Sequence, residues 1–507
     1  MPYTSPLAVL TGISMSKFPL VLISAALTAC ATVAPSGQAS STAAAPAEPA
    51  HSAASTARDP FTSTYQAAPG TTTLIRGATV LTGTGTRVDG GDVLIVNGRI
   101  EAVGKNLQAP AGANVIDAAG RWVTPGIVDI HSHLGVYPSP GLKGLSDGNE
   151  LTNPVTSNVW AEHSIWPQDP GFETALEGGV TTLEILPGSG NLIGGRSVVV
   201  KNVHATTYQA MKFPGAQQGL KMACGENPKR VYGSKGQAPS TLMGNVAGYR
   251  QAFADAQDYR RQWEKYDREQ AEYQKKKDSG GSDSGDKKAA PPSPPKRDLK
   301  LETLADVLKG DIRVQMHCYR GDQMATMLDV ADEFGFKIVA FHHAVEAYKV
   351  ADLLASKGVC AAMWADWWGF KVEAYDGIQE NIAIVDAPAG SCAMLHSDSE
   401  DGIQRLNQEA AKAMSRGVRA GLDIPPERAI RWLTANPAKA LGLDGRIGAL
   451  EAGKNADVVI WNRNPFSVYA LADEVFIDGA VAFDRAHPPR KPPSDFLLGQ
   501  PNEEGAP

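Results

Sequence analysis

With 507 residues, 43% of them hydrophobic, the chain is long enough to bury one large α/β core or two to three smaller ones. Its 48 basic and 55 acidic residues leave a formal net charge of -7, and no basic stripe with interleaved aromatics appears. A nucleic-acid partner is therefore not expected.

In chain order, the first feature is the apolar run FPLVLISAALTA, which follows Ser16 and Lys17 and ends at Cys30. About a dozen residues at about 1.5 Å each fall short of a bilayer's apolar thickness, so residues 1–30 read as a secretory signal. LTAC, from Leu27 to Cys30, resembles a bacterial lipobox, in which the cysteine becomes the lipid-bearing first residue. Met15 then offers a compact start. The expectation is an exported bacterial lipoprotein, associated with a membrane through its anchor and facing the periplasm. Ala31, where inner-membrane lipoproteins often carry aspartate, favours the outer membrane. Residues 31–71, rich in Ala, Ser, Pro and Thr, are expected to form a flexible tether. Cys224, Cys318, Cys360 and Cys392 sit in or beside apolar strand-like runs and are expected to be reduced, packing as small hydrophobes.

Short strand signals with turns between them fill Thr72 to Val123, including an Asn97-Gly98 hairpin turn. A similar texture returns only in KNADVVIWNRNP and EVFIDGAVAFD. Residues 72–124 and 445–487 are thus predicted to form a small composite β-sandwich domain built from both chain ends. Between them, strand-like runs alternate with helical patterns: IVDI, TTLEIL, RSVVVKNV, LKMAC, IRVQMH, KIVAFHH, VCAAMW and CAMLHSD. Eight such runs within about 270 residues predict an α/β fold, a (β/α)8 TIM-type barrel over 125–444, whose function gathers at strand ends. Residues 249–298 read as an insert: a long charged helix, then a low-complexity stretch with no assigned chemistry.

His131 and His133 in PGIVDIHSHLG lie at strand positions i and i+2, on one face and about 6.6 Å apart at about 3.3 Å rise per residue. Two imidazoles at that spacing reach one cation, although the pair alone also suits a half-exposed strand end. VTPGIVDIHSHLG closely resembles the first-strand signature of the amidohydrolase superfamily. GNLIGGR, ENPKRVYG, LHSDSEDGIQRLNQEAAKA and the closing LTANPAKALGLDGRIGALEAGKNADVVIWN resemble its imidazolonepropionase-like and metal-dependent dipeptidase branch.

The resemblance implies a metal-ligand set, taken residue by residue. His131 and His133 match the first-strand pair, His317 the fifth-strand histidine, and Asp398 the eighth-strand aspartate. At the sixth strand His342 and His343 compete, and His343 stands before the small residue of the pattern. The anionic bridge falls to Lys221, as a carboxylated lysine, or to Glu226, with Lys201 and Glu184 behind them. Histidine and carboxylate donors without thiolates suit one or two divalent ions, Zn2+ first and Mn2+, Fe2+ or Co2+ as alternatives. Such ions drop the pKa of a shared water toward neutrality, and Asp398 would act as general base and then general acid in hydrolysis.

The expected substrate is a small molecule or peptide, with the amide of a peptide or N-acyl amino acid favoured. Arg230, Tyr232, Arg320 and Lys371 could pair a substrate carboxylate, and Trp364, Trp367 and Trp368 could wall an apolar pocket. Cyclic amides and lactones remain alternatives, as does an inactive, lipid-anchored binding protein on the same barrel. Ring deamination is disfavoured because His317 is followed by Cys-Tyr-Arg rather than by the deaminase glutamate three residues on. A homo-oligomer is compatible with all of these readings.

Overall fold

Pro125 and Gly126 carry the chain from one sheet into the next. Before them run β1 (Thr73–Leu81), β2 (Arg87–Val96), β3 (Arg99–Gly104), β4 (Asn114–Asp117) and β5 (Trp122–Pro125). A Cβ on Gly126 would lie 2.2 Å from Thr181 Oγ1, so glycine alone lets the backbone pass. After it come β6 (Ile127–Ser132), β7 (Val180–Ile185), β8 (Ile193–Arg196), β9 (Val198–Lys201), β10 (Gly219–Ala223) and β11 (Arg313–His317). Then follow β12 (Ile338–His342), β13 (Cys360–Met363), β14 (Ala393–Leu395), β15 (Val458–Trp461), β16 (Ala472–Ile477) and β17 (Ala480–Asp484). The computed structural model describes residues 59–139, 141–279 and 290–487. The signal-like segment, Cys30 and residues 31–58 of the expected tether lie outside the described residues.

The two chain ends meet in one eight-stranded sheet of order β17-β16-β15-β5-β1-β2-β3, with β4 beside β1. Two facing sheets were the expectation; the strand pairing itself is one continuous ladder, in which β15 pairs antiparallel with the edge of β5, Thr124 opposite Val459. Residues 59–71 also depart from a free tether: Lys212 Nζ lies 2.7 Å from Asp59, Ser63 Oγ donates to Lys212 O, and Tyr65 OH donates to Asp478.

The central strands form an α/β arrangement of two arcs, β14-β13-β12-β11-β10-β8 and β6-β7-β9. Neighbours from β10 to β14 are parallel, as are β6 and β7. RSVVVKNV, expected as one strand, divides at Ser197: β8 runs antiparallel to β10, and β9 antiparallel to β7. The Ser197 hydroxyl accepts from Gly219 N and donates to Glu184 Oε1, while Ser197 N still donates to Gly219 O, so side chain and backbone together hold the break. Between β14 and β6, Asp398 N donates to His131 O at 3.0 Å and Ser397 N to Asp129 Oδ1 at 3.1 Å.

Strand periodicity separates two apolar layers. Met316, Phe341, Ala361 and Leu395 join a cluster with Met324, Leu354, Ile382 and Leu406 of the flanking helices. Ala340, Cys360, Ala362 and Met394 point the other way. The rows of that second parity, Lys221 opposite Gln315 and Ala223 opposite His317 opposite His342, carry the polar residues of the site.

The cysteines are paired rather than reduced. Cys224 bonds Cys318 and Cys360 bonds Cys392, with Cα atoms 5.2 and 4.5 Å apart. Each pair links neighbouring strands, an adjacency that spacing along the chain does not reveal. The charged helix begins earlier than expected, at Leu242, and runs to Asp278. It is not exposed throughout, because Tyr249, Ala252, Phe253 and Ala256 are buried in the core and Tyr249 OH donates to Ala223 O.

Candidate metal centre

The site begins with a chain of hydrogen bonds that fixes one tautomer. Glu184 Oε2 accepts from Gln315 Nε2 at 2.9 Å, so Gln315 turns its oxygen toward His342 Nε2, 2.8 Å away. His342 must donate there, and its Nδ1 is left to accept from His131 Nδ1 at 2.9 Å. The lone pair of His131 is thereby assigned to Nε2. His133 is set in the same way, since its Nδ1 lies 2.8 Å from Leu186 O and must donate.

Both free lone pairs face one carboxylate. His131 Nε2 and His133 Nε2 are 3.3 Å apart, and Asp398 Oδ1 lies 3.4 and 3.2 Å from them. His343 Nε2 stands 3.9 Å from the same oxygen. Burial holds His131, His317, His342 and His343 well below the usual imidazole range, and His396 is lowered to about 3, so all are neutral donors. Asp398 lies below the usual carboxylate range, because hydrogen bonding and charge from His133 in its doubly protonated form, with charge from His396 and Lys221, outweigh the opposing effect of burial. His343 and Asp398 both have φ of 56°, a left-handed conformation uncommon outside glycine and concentrated at functional positions.

The donor set fits a divalent cation. Among the described residues, two groups have mutually close ligand atoms: His131, His133 and Asp398, and His131, His343 and His396. His317 Nδ1, His343 Nδ1 and His396 Nδ1 are buried without a hydrogen-bond partner. With every described cysteine in a disulfide, the donors are imidazole and carboxylate, the set that suits zinc and its first-row neighbours.

Lys221 joins this cluster and Glu226 does not. Lys221 Nζ is 3.0 Å from His131 Nε2, and burial pushes its amine down to about 7. Glu226 opens the helix Glu226–Gly233 and lies 3.7 Å from Lys371 Nζ. Lys201 is elsewhere, paired with Asp457 and Asp478, and Glu184 serves as the anchor of Gln315. Of the sixth-strand histidines, His342 has both ring nitrogens engaged by protein, whereas His343 faces Asp398.

Several expected substrate contacts are not brought to the site. Tyr232 is fully buried, its hydroxyl donating to Asn153 O and accepting from Asn191 Nδ2. Arg230 is exposed on its helix, and Arg320 pairs with Asp322 at 2.9 Å. The tryptophans do reach the mouth: Trp364 stacks on His343 at 4.6 Å and Trp367 on Trp364 at 5.4 Å. Trp367 and Trp368 are 44% and 54% exposed.

Sequence reasoning missed His396, Asp129 and Gln315. His396 stands two residues before Asp398, the same spacing that drew attention to His131 and His133. Asp129 accepts from His131 N, Ser397 N and Ser397 Oγ, and so couples the first ligand strand to the last. Gln315 shares the alternation of His317, but nothing in its residue type signalled a role.

Comparison with known proteins agrees with this geometry. The profile of the Amidohydrolase family matches residues 122–484. "Amidohydrolase tasK" of Hapsidospora irregularis is 34% identical over 411 residues, which cover 78% of this chain and 40% of that protein. This chain thus spans about two fifths of that relative's length. A "5-methylthioadenosine/S-adenosylhomocysteine deaminase" of Desulforudis audaxviator is 25% identical over 77% of this chain and 85% of its own. The crystal structure of an amidohydrolase from Thermotoga maritima MSB8 superposes with a TM-score of 0.69 at 35% identity, covering 82% of this chain and 100% of that one. This likeness implies a TIM-barrel-like α/β fold.

Proposed function

Because the chain belongs to the amidohydrolase family, we propose that it hydrolyses the amide bond of a peptide or N-acyl amino acid, with one or two divalent ions at the histidine cluster. The observation that carries this is the convergence of His131 Nε2, His133 Nε2 and Asp398 Oδ1 within 3.4 Å of one another. His317, His343 and Lys221 would complete the ligand set. A divalent ion there supplies charge that polarises a carbonyl and raises the acidity of a neighbouring water.

The protein's own groups do the rest. Asp398, held ionised, takes a proton from the attacking water as its oxygen bonds the carbonyl carbon, and returns it to the leaving nitrogen as the C–N bond breaks. Lys221, with its amine lowered to about 7, is partly neutral near physiological pH. That is the form that adds carbon dioxide to give an anionic carbamate. The peptide reading is favoured over ring deamination by the segment after His317, where Cys318 is tied to Cys224 and Arg320 to Asp322. No carboxylate stands three residues on.

The test is metal content in protein purified without added metal, followed by a panel of dipeptides and N-acyl amino acids set against lactones and aminated heterocycles. Cleavage of amides with bound zinc is the expected result. Absence of metal together with no hydrolysis after addition of zinc or manganese and bicarbonate would leave only a binding protein. Export and lipid attachment at Cys30 are part of the proposal, supported by the LTAC motif and by disulfides that suit an oxidising compartment. Loss of metabolic fatty-acid labelling in Cys30→Ser tests them. Among the described residues, no helix is long and apolar enough to cross a membrane.

A further inference from the structure

Lys371 lies on the loop after β13, between Phe370 and Val372, which are 56% and 81% exposed. Its ammonium nevertheless turns inward. Nζ sits 3.9 Å from the centre of the Tyr319 ring and 6.0 Å from that of Phe370. It lies 3.7 Å from Glu226 Oε1 and 3.5 Å from Glu373 Oε2, and donates to Asn227 Oδ1 at 3.5 Å. An aromatic face, two carboxylates and an amide oxygen around one point form the surroundings of a primary ammonium. Asn227 also reaches His317 Nε2 at 3.4 Å, so this point is one side chain away from a histidine of the metal cluster.

Glu373 supplies an independent observation. It is only 7% exposed, and Oε1 accepts from Glu226 N at 2.5 Å. Its Oε2 accepts no hydrogen bond and has only the Lys371 charge opposite it. A buried carboxylate oxygen left without a hydrogen bond is unfavourable, and a better-placed ammonium would satisfy it. The position is also built for: Gly225 has φ of 82°, and a Cβ there would lie 2.3 Å from Glu373 Oε1.

The geometry points to a substrate-ammonium pocket, formed by Tyr319, Glu226, Glu373 and Asn227, that Lys371 fills in the free protein and leaves when a substrate's primary ammonium enters. The inference rests on the hydrolase reading and narrows it to amides that carry a free amine, rather than to N-acyl amino acids without one. Recognition of a carboxylate by Lys371 fits the arrangement poorly, because the incoming anion would sit beside two carboxylates already paired there. Self-occupation lowers apparent affinity by the fraction of molecules in which the pocket is open, so removing the occupant tightens binding.

The experiment uses the full chain and n-butylammonium, with 1-butanol as the neutral control, read through fluorescence of Trp364, whose ring lies 6.2 Å from that of Tyr319. Lys371→Met should tighten n-butylammonium binding by about tenfold or more and leave 1-butanol unchanged. Lys371→Arg, which keeps an occupant, should bind as weakly as the parent. Adding Glu226→Gln and Glu373→Gln to Lys371→Met should abolish the gain. Binding no tighter in Lys371→Met, equal binding of 1-butanol, or acetate binding that disappears with Lys371 would each overturn the proposal. Glycinamide and Nα-acetyl-lysinamide then show whether an α-amine or a side-chain amine fits better. Because binding is read without turnover, ammonium binding without cleavage of any amide would remove the hydrolase reading and leave the pocket standing.

Discussion

His131 Nδ1 and His342 Nδ1 lie 2.9 Å apart, and only one of the two nitrogens carries the shared proton. Gln315 decides which, through His342 Nε2. Gln315→Leu removes that control and strands both His342 Nε2 and Glu184 Oε2. Partners of metal-bound histidines typically contribute 10- to 100-fold in affinity, so metal retention against a chelator should weaken by about that factor with all direct ligands intact. Unchanged retention would mean that His131 is oriented by other contacts.

Asp398 combines an ionised carboxylate with a left-handed backbone. Asparagine tolerates that conformation, so Asp398→Asn should keep the fold, as read by circular dichroism. It cannot take a proton from water. The turnover number should fall by at least ~10²-fold, and a variant that turns over like the parent would place the base elsewhere.

The disulfides enclose chain separations of 94 and 32 residues. Replacing both cysteines of either pair by serine should lower unfolding stability by about 4 kcal/mol, measured in urea under oxidising conditions. The Cys224–Cys318 variant should also lose metal affinity, because that bond joins the strands carrying Lys221 and His317. The Cys360–Cys392 variant serves as the comparison.

Burial pushes the Glu184 carboxyl from 4.5 up to about 8. Between these values the folded chain holds more protons at this position than the unfolded chain. Stability of the metal-free protein should therefore fall as pH rises through that window and level off above it. In Glu184→Gln this pH dependence should be absent, so urea midpoints of parent and variant should converge toward pH 5 and separate by pH 8.5. A parent curve as flat as the variant's would show that Glu184 is ionised throughout.

Strand positions, the joining of both chain ends in one domain, and the cluster of His131, His133, His317, His343 and Asp398 were legible because each depends on local pattern: alternation, turn residues, or i and i+2 spacing. What stayed hidden depends on neighbours in space. The disulfides required β10 beside β11 and β13 beside β14. Tyr232 could be recognised as structural only once Asn153 and Asn191 stood against its hydroxyl. Gln315 and Asp129 hold ligands in place from residue types that appear throughout ordinary cores. Lys371 and Glu226 were singled out separately, and only the fold shows that they face each other.

The clasp between β5 and β15 also bears on how the molecule is assembled. Trp461 Nε1 donates to Thr124 Oγ1 at 2.9 Å across 337 residues of chain, so the segment between them is one long loop closed at its base by a sheet. Closure entropy grows only by about 0.6 kcal/mol for each doubling of loop length, which explains why an insertion between β10 and β11 is tolerated. The burden falls on kinetics instead. Until β15 has been synthesised, β5 presents an unpaired edge, and the nascent chain must keep it from pairing with other molecules while nearly all of the remaining protein is made.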